Sequence, residues 1–233
     1  MTSVLVVDDQ DLVRAGFAAL LGAVPEIDVV GEARDGLEAV EKAAELRPDV
    51  ILMDVRLPGL DGVSATERIL AAAAPPRPSV LMLTVFDLDE YVYTALRAGA
   101  SGFLLKDSPT ETLIAGIHAA ARGDMLFGPT ITRRLVEAFT RTPPEPPATA
   151  PPLSALTGRE REVLRFVGTG VTNGRIAAEL RVSEATVKTH LNRLMVKLGV
   201  SSRAQAVVVA YETGLVRPGD TRPPIHAPEH LIE

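Results

Sequence analysis

The sequence predicts an α/β domain built on a doubly wound, parallel five-stranded sheet, followed by a smaller all-helical domain. Three observations carry this prediction. Over residues 1–122, short apolar runs alternate with stretches of helical periodicity, the pattern of buried strands joined by crossover helices. Four of those runs end on polar residues, Asp8 with Asp9, Asp54, Thr84 and Lys106, which a parallel sheet would gather at one edge. Beyond a proline-rich segment, apolar residues recur only at helical spacing. With 233 residues and 46% hydrophobic content, the chain has material for two packed cores.

Val4-Leu5-Val6-Val7 is the first strand and runs into Asp8-Asp9. Leu12, Phe17, Leu20 and Leu21 fall on one side of the helix that follows. Ile27 to Val30 form the second strand, and Leu37, Val40 and Ala44 mark a second helix. The third strand, Val50 to Asp54, lies between Pro48 and a Pro58-Gly59 turn, so Asp54 sits at its C-terminal edge. Val63 to Leu70 form a third helix, and Val80 to Thr84 the fourth strand. Asp87 and Glu90 have capping-box spacing at the start of a fourth helix carrying Tyr91, Val92 and Leu96. The fifth strand is Phe103 to Lys106. Ser108-Pro109-Thr110-Glu111 then combines a capping box with proline at the first helical position of a fifth helix.

Carboxylates gathered at one strand edge repel one another, and a divalent cation is the usual resolution. Mg²⁺ takes a few carboxylates together with water and phosphate oxygens, which suits Asp9 and Asp54 with Asp8 in support. Lys106 adds a compact cation and Thr84 a hydroxyl, both fit to hold phosphoryl oxygens. The chemistry deduced is phosphoryl transfer to or from a carboxylate. A structural role competes at each position taken singly; Asp11, and Asp9 with it, could cap the first helix.

Asp8-Asp9, Asp54, Thr84 and Lys106, with Pro58-Gly59 after the central aspartate and Phe103 three residues before the lysine, resemble the receiver domain of two-component response regulators. The resemblance covers residues 1–122 and implies a CheY-like, flavodoxin-like fold. It implies that Asp54 accepts a phosphoryl group from the phosphohistidine of a sensor histidine kinase. It further implies that Asp8, Asp9 and Asp54 hold Mg²⁺ with the backbone carbonyl of Arg56, and that Thr84 and Phe103 form a switch pair in which the ring turns inward. Where many receivers have proline after the lysine, this chain has Asp107.

Residues 123–152 read as a helix, Ile131 to Phe139, and a linker in which Thr142-Pro143-Pro144-Glu145-Pro146-Pro147 and Pro151-Pro152 favour extended geometry. Residues 153–216 are helical throughout. Thr157-Gly158-Arg159-Glu160 is a capping box, followed by Val163, Leu164 and Val167. Ile176, Ala177 and Leu180 mark a short second helix. Ser183 caps a third, whose apolar stripe is Val187, Leu191, Leu194 and Leu198 and which Gly199 ends. Two short helices joined by a tight turn make a helix-turn-helix. The opposite face of the third helix carries Lys188, Thr189, Asn192 and Arg193, side chains able to read base edges in a major groove, although a solvated polar face has the same composition. A last helix, Ser202 to Thr213, has more apolar surface than one small core needs. Residues 217–233 are proline-rich and aperiodic, which predicts a disordered tail.

Leu156-Thr157-x-Arg159-Glu160, Ile176-Ala177-x-x-Leu180, Val182-Ser183-Glu184-x-Thr186-Val187-Lys188-x-His190 and Lys197-Leu198 resemble the LuxR/NarL type of helix-turn-helix. The resemblance implies that double-stranded DNA is the partner, that Lys188, Thr189 and Asn192 read bases, and that Arg175, Thr186, His190 and Arg193 contact phosphates. It also implies a homodimer on phosphorylation, with the last helix as the contact; burial within its own domain is the competing reading. Gly174-Arg175 departs from the longer polar pair usual there.

Charge supports this division. Residues 1–124 hold 10 Lys+Arg against 20 Asp+Glu, while residues 125–233 hold 14 against 10, so a net charge of −6 conceals an acidic half and a basic one. The absence of cysteine excludes disulfides, thiolate metal sites and a cysteine nucleophile. No apolar run reaches membrane-spanning length, and a cytoplasmic protein is expected. Two rival functions share the same residues. Val6-Val7-Asp8-Asp9-Gln10-Asp11-x-Val13 resembles the opening motif of haloacid-dehalogenase-type phosphatases, with Asp9 as nucleophile and Asp11 as acid, but no strand-end acidic pair follows Lys106. Alternatively, the receiver serves a transcription regulator without being phosphorylated.

Overall fold

A computed structural model describes residues 1–84, 92–123 and 153–217. The expected capping box at Asp87 and Glu90, the helix at 131–139, the proline-rich linker and all of the expected tail beyond residue 217 lie outside the described residues.

The N-terminal domain runs β1 (Thr2–Val7), α1 (Asp11–Gly22), β2 (Ile27–Ala33), α2 (Gly36–Leu46), β3 (Val50–Asp54), α3 (Gly62–Ala72), β4 (Ser79–Thr84), α4 (Val92–Ala98), β5 (Gly102–Leu105), α5 (Thr110–Ala121). All strand pairs are parallel, in the order β2-β1-β3-β4-β5. Strand periodicity sorts the side chains cleanly between two cores. Leu5, Val7, Ile51, Met53, Val80, Met82 and Phe103 face one side with Ala39, Ala43, Ala65, Ile69 and Leu96 of α2, α3 and α4. Val4, Val6, Val50, Leu52, Leu81, Leu83 and Leu104 face the other with Leu21 of α1 and Leu113 and Ile117 of α5. Both faces being covered explains why β1, β3 and β4 are apolar without alternation.

Three local expectations are corrected. Leu12 is 87% exposed, because it lies in the first turn of α1, beyond the sheet that covers Leu21. Leu37 and Ala44 point outward, and α2 packs through Gly36, Ala39 and Ala43. The capping box at Ser108 does not form: Pro109 is itself the N-cap of α5, with no side-chain cap bond.

The C-terminal domain has a short 3₁₀ turn (Leu153–Ala155), then α6 (Gly158–Gly168), α7 (Asn173–Leu180), α8 (Glu184–Leu198) and α9 (Arg203–Glu212). The capping box of Thr157 and Glu160 is complete in both directions. Arg181, in left-handed geometry at φ 52°, ends α7, and the Ser183 side chain accepts from the Thr186 N–H to start α8. Val187, Leu191, Leu194 and Leu198 form the buried stripe of α8, and Gly199 at φ 67° closes it. Arg203 is buried and donates to Asn173 Oδ1 and the Val171 carbonyl, tying α9 to the start of α7.

Candidate functional site

Three consecutive constraints aim Asp54. It is the last residue of a strand buried along its whole length. The next residue, Val55, donates its N–H to the Leu83 carbonyl of β4, continuing the ladder past the carboxylate. The loop then returns to α3 so closely that a Cβ on Gly62 would lie 1.9 Å from the Asp54 carbonyl oxygen, so only glycine fits. β1 delivers Asp8 and Asp9 beside it by the same logic. The Asp8 N–H bonds the Ala33 carbonyl of β2, and the Gln10 N–H holds Asp8 Oδ1 at 3.0 Å.

The expected convergence is present. Oxygens of Asp8, Asp9 and Asp54 lie within 4.8 Å of one another. Lys106, in the turn just after β5, puts Nζ 2.7 Å from Asp8 Oδ2 and 2.9 Å from Asp54 Oδ2. Thr84 ends β4 at the same edge and is buried. Phe103 is paired with Met82 inside the sheet and is 1% exposed, so the ring expected to turn inward is already inside. Arg56 follows in the β3–α3 loop, and its backbone N–H donates to the Asp54 carboxylate.

The electrostatics show a site short of positive charge. Burial pushes the Asp54 carboxyl above its ordinary range and Asp8 adds to that push, against the pull of Lys106 and the Arg56 N–H. Burial lowers the Lys106 ammonium, but its two carboxylate partners outweigh that and hold it above the usual lysine value. Asp8 Oδ2 is fully buried, and the Lys106 ammonium, 2.7 Å away and shared with Asp54, is its partner among the described residues. One lysine thus serves two buried carboxylates while Asp9 stays exposed at the rim. An all-oxygen set with an under-served buried acceptor fits a hard divalent cation such as Mg²⁺. Asp11 is occupied elsewhere, 2.6 Å from Arg14, and neither it nor Asp9 caps α1, whose N-cap is Gln10.

The helix-turn-helix face is also where the sequence predicts it. Thr189, Asn192 and Arg193 are exposed on α8, and Lys188, Thr186 and His190 are half-buried; Arg175 is exposed on α7. The Thr189 hydroxyl donates back to the Ala185 carbonyl. Lys188, Leu191, Asn192 and Met195 are turned toward the receiver, lining with Pro76, Arg77, Ser79 and Arg122 a cleft of about 480 Å³ between the domains. Sequence reasoning missed two features. One is the pair between Lys197 Nζ and Glu160 Oε2 at 2.6 Å that braces α8 on α6; both ends were visible as motif residues, but not their meeting. The other is a polar contact between α4 and α9 through Tyr93, Arg97, Gln205 and Glu212, for which no local pattern exists. Among the described residues, no helix is long and apolar enough to cross a membrane.

Comparison with known proteins agrees with both halves. The family model described as response regulator receiver domain matches residues 4–118, and that of the bacterial regulatory proteins of the luxR family matches residues 154–210. The chain is 42% identical over 216 residues to the uncharacterized transcriptional regulatory protein YxjL of Bacillus subtilis (strain 168), covering 92% of this chain and 97% of that protein. It is 40% identical to the transcriptional regulatory protein LiaR of the same strain, over 93% and 100% of the two chains. Among solved structures, the response regulator ChrA of a heme-sensing two-component system shares 35% identity over 92% of this chain and 98% of that one, with a TM-score of 0.50. A LuxR-family two-component response regulator from Aurantimonas sp. SI85-9A1 reaches a TM-score of 0.55 at 31% identity, over 60% and 99%. The chain therefore belongs to the response regulators that join a receiver domain to a luxR-family helix-turn-helix, the transcriptional regulators of two-component systems.

Proposed function

We propose that Asp54 is the phosphoacceptor and that its phosphorylation controls DNA binding by the C-terminal domain. An Asp54 carboxylate oxygen attacks phosphorus in a phosphohistidine of a sensor histidine kinase; the P–N bond breaks, the histidine recovers its proton, and an acyl phosphate remains on Asp54. The observation that carries this reading is the shared lysine, with Lys106 Nζ within 2.9 Å of both Asp8 and Asp54 at the sheet edge. That ammonium is positioned to follow the negative charge onto the phosphoryl oxygens. Asp8, Asp9, Asp54 and the Arg56 carbonyl are the groups that would hold Mg²⁺, which when bound neutralises the charge gathered by the incoming phosphoryl group. Thr84 supplies the hydroxyl that engages the product, with Phe103 packed beneath the same edge.

The output follows from where α8 points. Lys188, Thr189 and Asn192 are the base-reading residues, and Arg175, Thr186, His190 and Arg193 hold phosphates. Lys188 and Asn192 line the interdomain cleft, so a duplex seated on the reading face would meet the receiver residues on the cleft's other wall. Phosphorylation shifts a pre-existing equilibrium toward an arrangement in which that face is open, and two copies bind paired half-sites.

The test is labelling with radioactive acetyl phosphate and Mg²⁺, followed by selection on a pool of randomised duplex DNA. Wild type is expected to take up label and enrich a motif; Asp54→Ala is expected to do neither. Equal labelling of the two proteins would refute the assignment.

A further inference from the structure

Arg14 stands behind the acidic cluster and reaches it through the main chain. It lies in the first turn of α1 with its side chain only 15% exposed, and its guanidinium joins three elements. Nη1 donates to the Asp8 carbonyl oxygen at 2.8 Å, Nη2 donates to Asp11 Oδ1 at 2.6 Å, and Nε lies 3.2 Å from Glu32 Oε2 on β2. Glu32 is itself held in place: its backbone pairs with Val6 of β1, and its carbonyl accepts from Lys42 Nζ. Two carboxylates answer the charge of the guanidinium, so Arg14 is not a spare cation for phosphoryl oxygens. What it offers the site is a grip on one peptide group.

That peptide joins the two acids that precede α1. The Asp8 carbonyl and the Asp9 N–H share one rigid plane, so holding the oxygen fixes the direction in which the Asp9 side chain leaves the backbone. The Asp8 side chain has restraints of its own, the Gln10 N–H on Oδ1 and Lys106 at Oδ2. Asp9 differs: it is exposed and has no side-chain partner among the described residues, although its oxygen comes within 4.8 Å of those of Asp8 and Asp54. Its aim therefore depends on its backbone. We propose that Arg14 is a positioning residue for the cation site, holding the Asp8–Asp9 peptide so that the Asp9 carboxylate stays within reach of an ion shared with Asp8 and Asp54. This deepens the phosphotransfer reading above and rests on its cation site. Groups that orient metal ligands without touching the metal commonly govern its affinity by tenfold or more.

The probe is Mn²⁺, a paramagnetic stand-in for Mg²⁺ at all-oxygen sites, titrated into the full chain without phosphodonor and read by electron paramagnetic resonance. Arg14→Lys keeps the charge but loses the fork that spans a carbonyl and two carboxylates; Arg14→Gln loses the charge as well. A positioning role and a purely electrostatic one differ in sign. Acting only as a nearby positive charge, Arg14 would repel the ion, so Arg14→Gln would tighten Mn²⁺ binding and Arg14→Lys would leave it unchanged. Acting through the Asp8–Asp9 peptide, both variants are expected to weaken it by roughly tenfold. Denaturant midpoints measured alongside separate this from a role in folding, and Arg14→Lys alone decides should Arg14→Gln not fold. A lowered midpoint with wild-type Mn²⁺ affinity would make Arg14 a brace and overturn the proposal, as would tighter binding by Arg14→Gln. No binding by wild type would remove the cation site and this proposal with it. Weakened binding by both variants, in a chain whose Asp54 takes no label, would uphold Arg14 while the phosphoacceptor reading fell.

Discussion

Each half of the molecule contains a lysine facing buried carboxylate, and the two pairs have opposite characters. In the helix-turn-helix domain, Glu160 has Lys197 to itself and also closes the capping box with the Thr157 N–H, both through Oε2. The Lys197 hydrogen bond above all holds its carboxyl below the ordinary range. In the receiver, Lys106 is divided between Asp8 and Asp54, and burial leaves the Asp54 carboxyl above that range. A satisfied pair braces a fold, whereas an under-compensated one is poised to take up a cation or a transferable group.

Cation binding should separate the two regions most. Mg²⁺ at a hundredfold excess over its dissociation constant should stabilise the receiver by about 2.7 kcal/mol. Amide exchange should therefore slow in β3 of wild type but not of Asp8→Asn, while α8 stays unmoved. Next in size, Glu160→Ala should cost the helix-turn-helix domain about 2 kcal/mol, since Lys197 is one-third exposed and recovers some hydration. Faster exchange confined to α6 and α8 is the expected readout. By contrast, Asp54→Asn should leave receiver stability unchanged or raise it by about 1 kcal/mol, because it removes a charge that burial disfavours. A large loss there, seen in the denaturant midpoint, would erase the distinction drawn between the pairs.

The smallest effect is a difference in pH dependence. Glu160 is depressed in the fold, so its contribution is present above the unfolded carboxylate pKa and is lost as pH falls through the lower folded value. Asp54 is raised, so its contribution is full below the unfolded pKa and is lost as pH rises through the folded one. Lowering the pH from 7 toward 4 should then stabilise wild type relative to Asp54→Asn, while the gap between wild type and Glu160→Ala narrows on further acidification. Paired denaturant titrations across that range provide the check.

What could be read in advance follows from the range of the interactions. Strands buried on both faces declare themselves residue by residue, and the polar residues that end them, Asp8, Asp54, Thr84 and Lys106, carry their chemistry in their type and position. The stripe of α8 and the Thr157–Glu160 box are equally local, and both are present as predicted. Leu12 is exposed despite its spacing, because helical spacing says which residues share a face but not where the covering sheet ends. Pro109 took the cap expected of Ser108, a contest between neighbours that spacing alone does not decide. Tyr93 and Glu212 stand 119 positions apart, and their hydrogen bond depends on how two complete domains dock. No window along the chain contains that information.

The proposed control of DNA entry by phosphate on Asp54 has a direct readout. It is tested most directly by titrating the selected duplex with wild type and Asp54→Ala, each with and without acetyl phosphate and Mg²⁺. Tighter binding on addition of the donor is expected for wild type alone. One affinity common to all four conditions would contradict it.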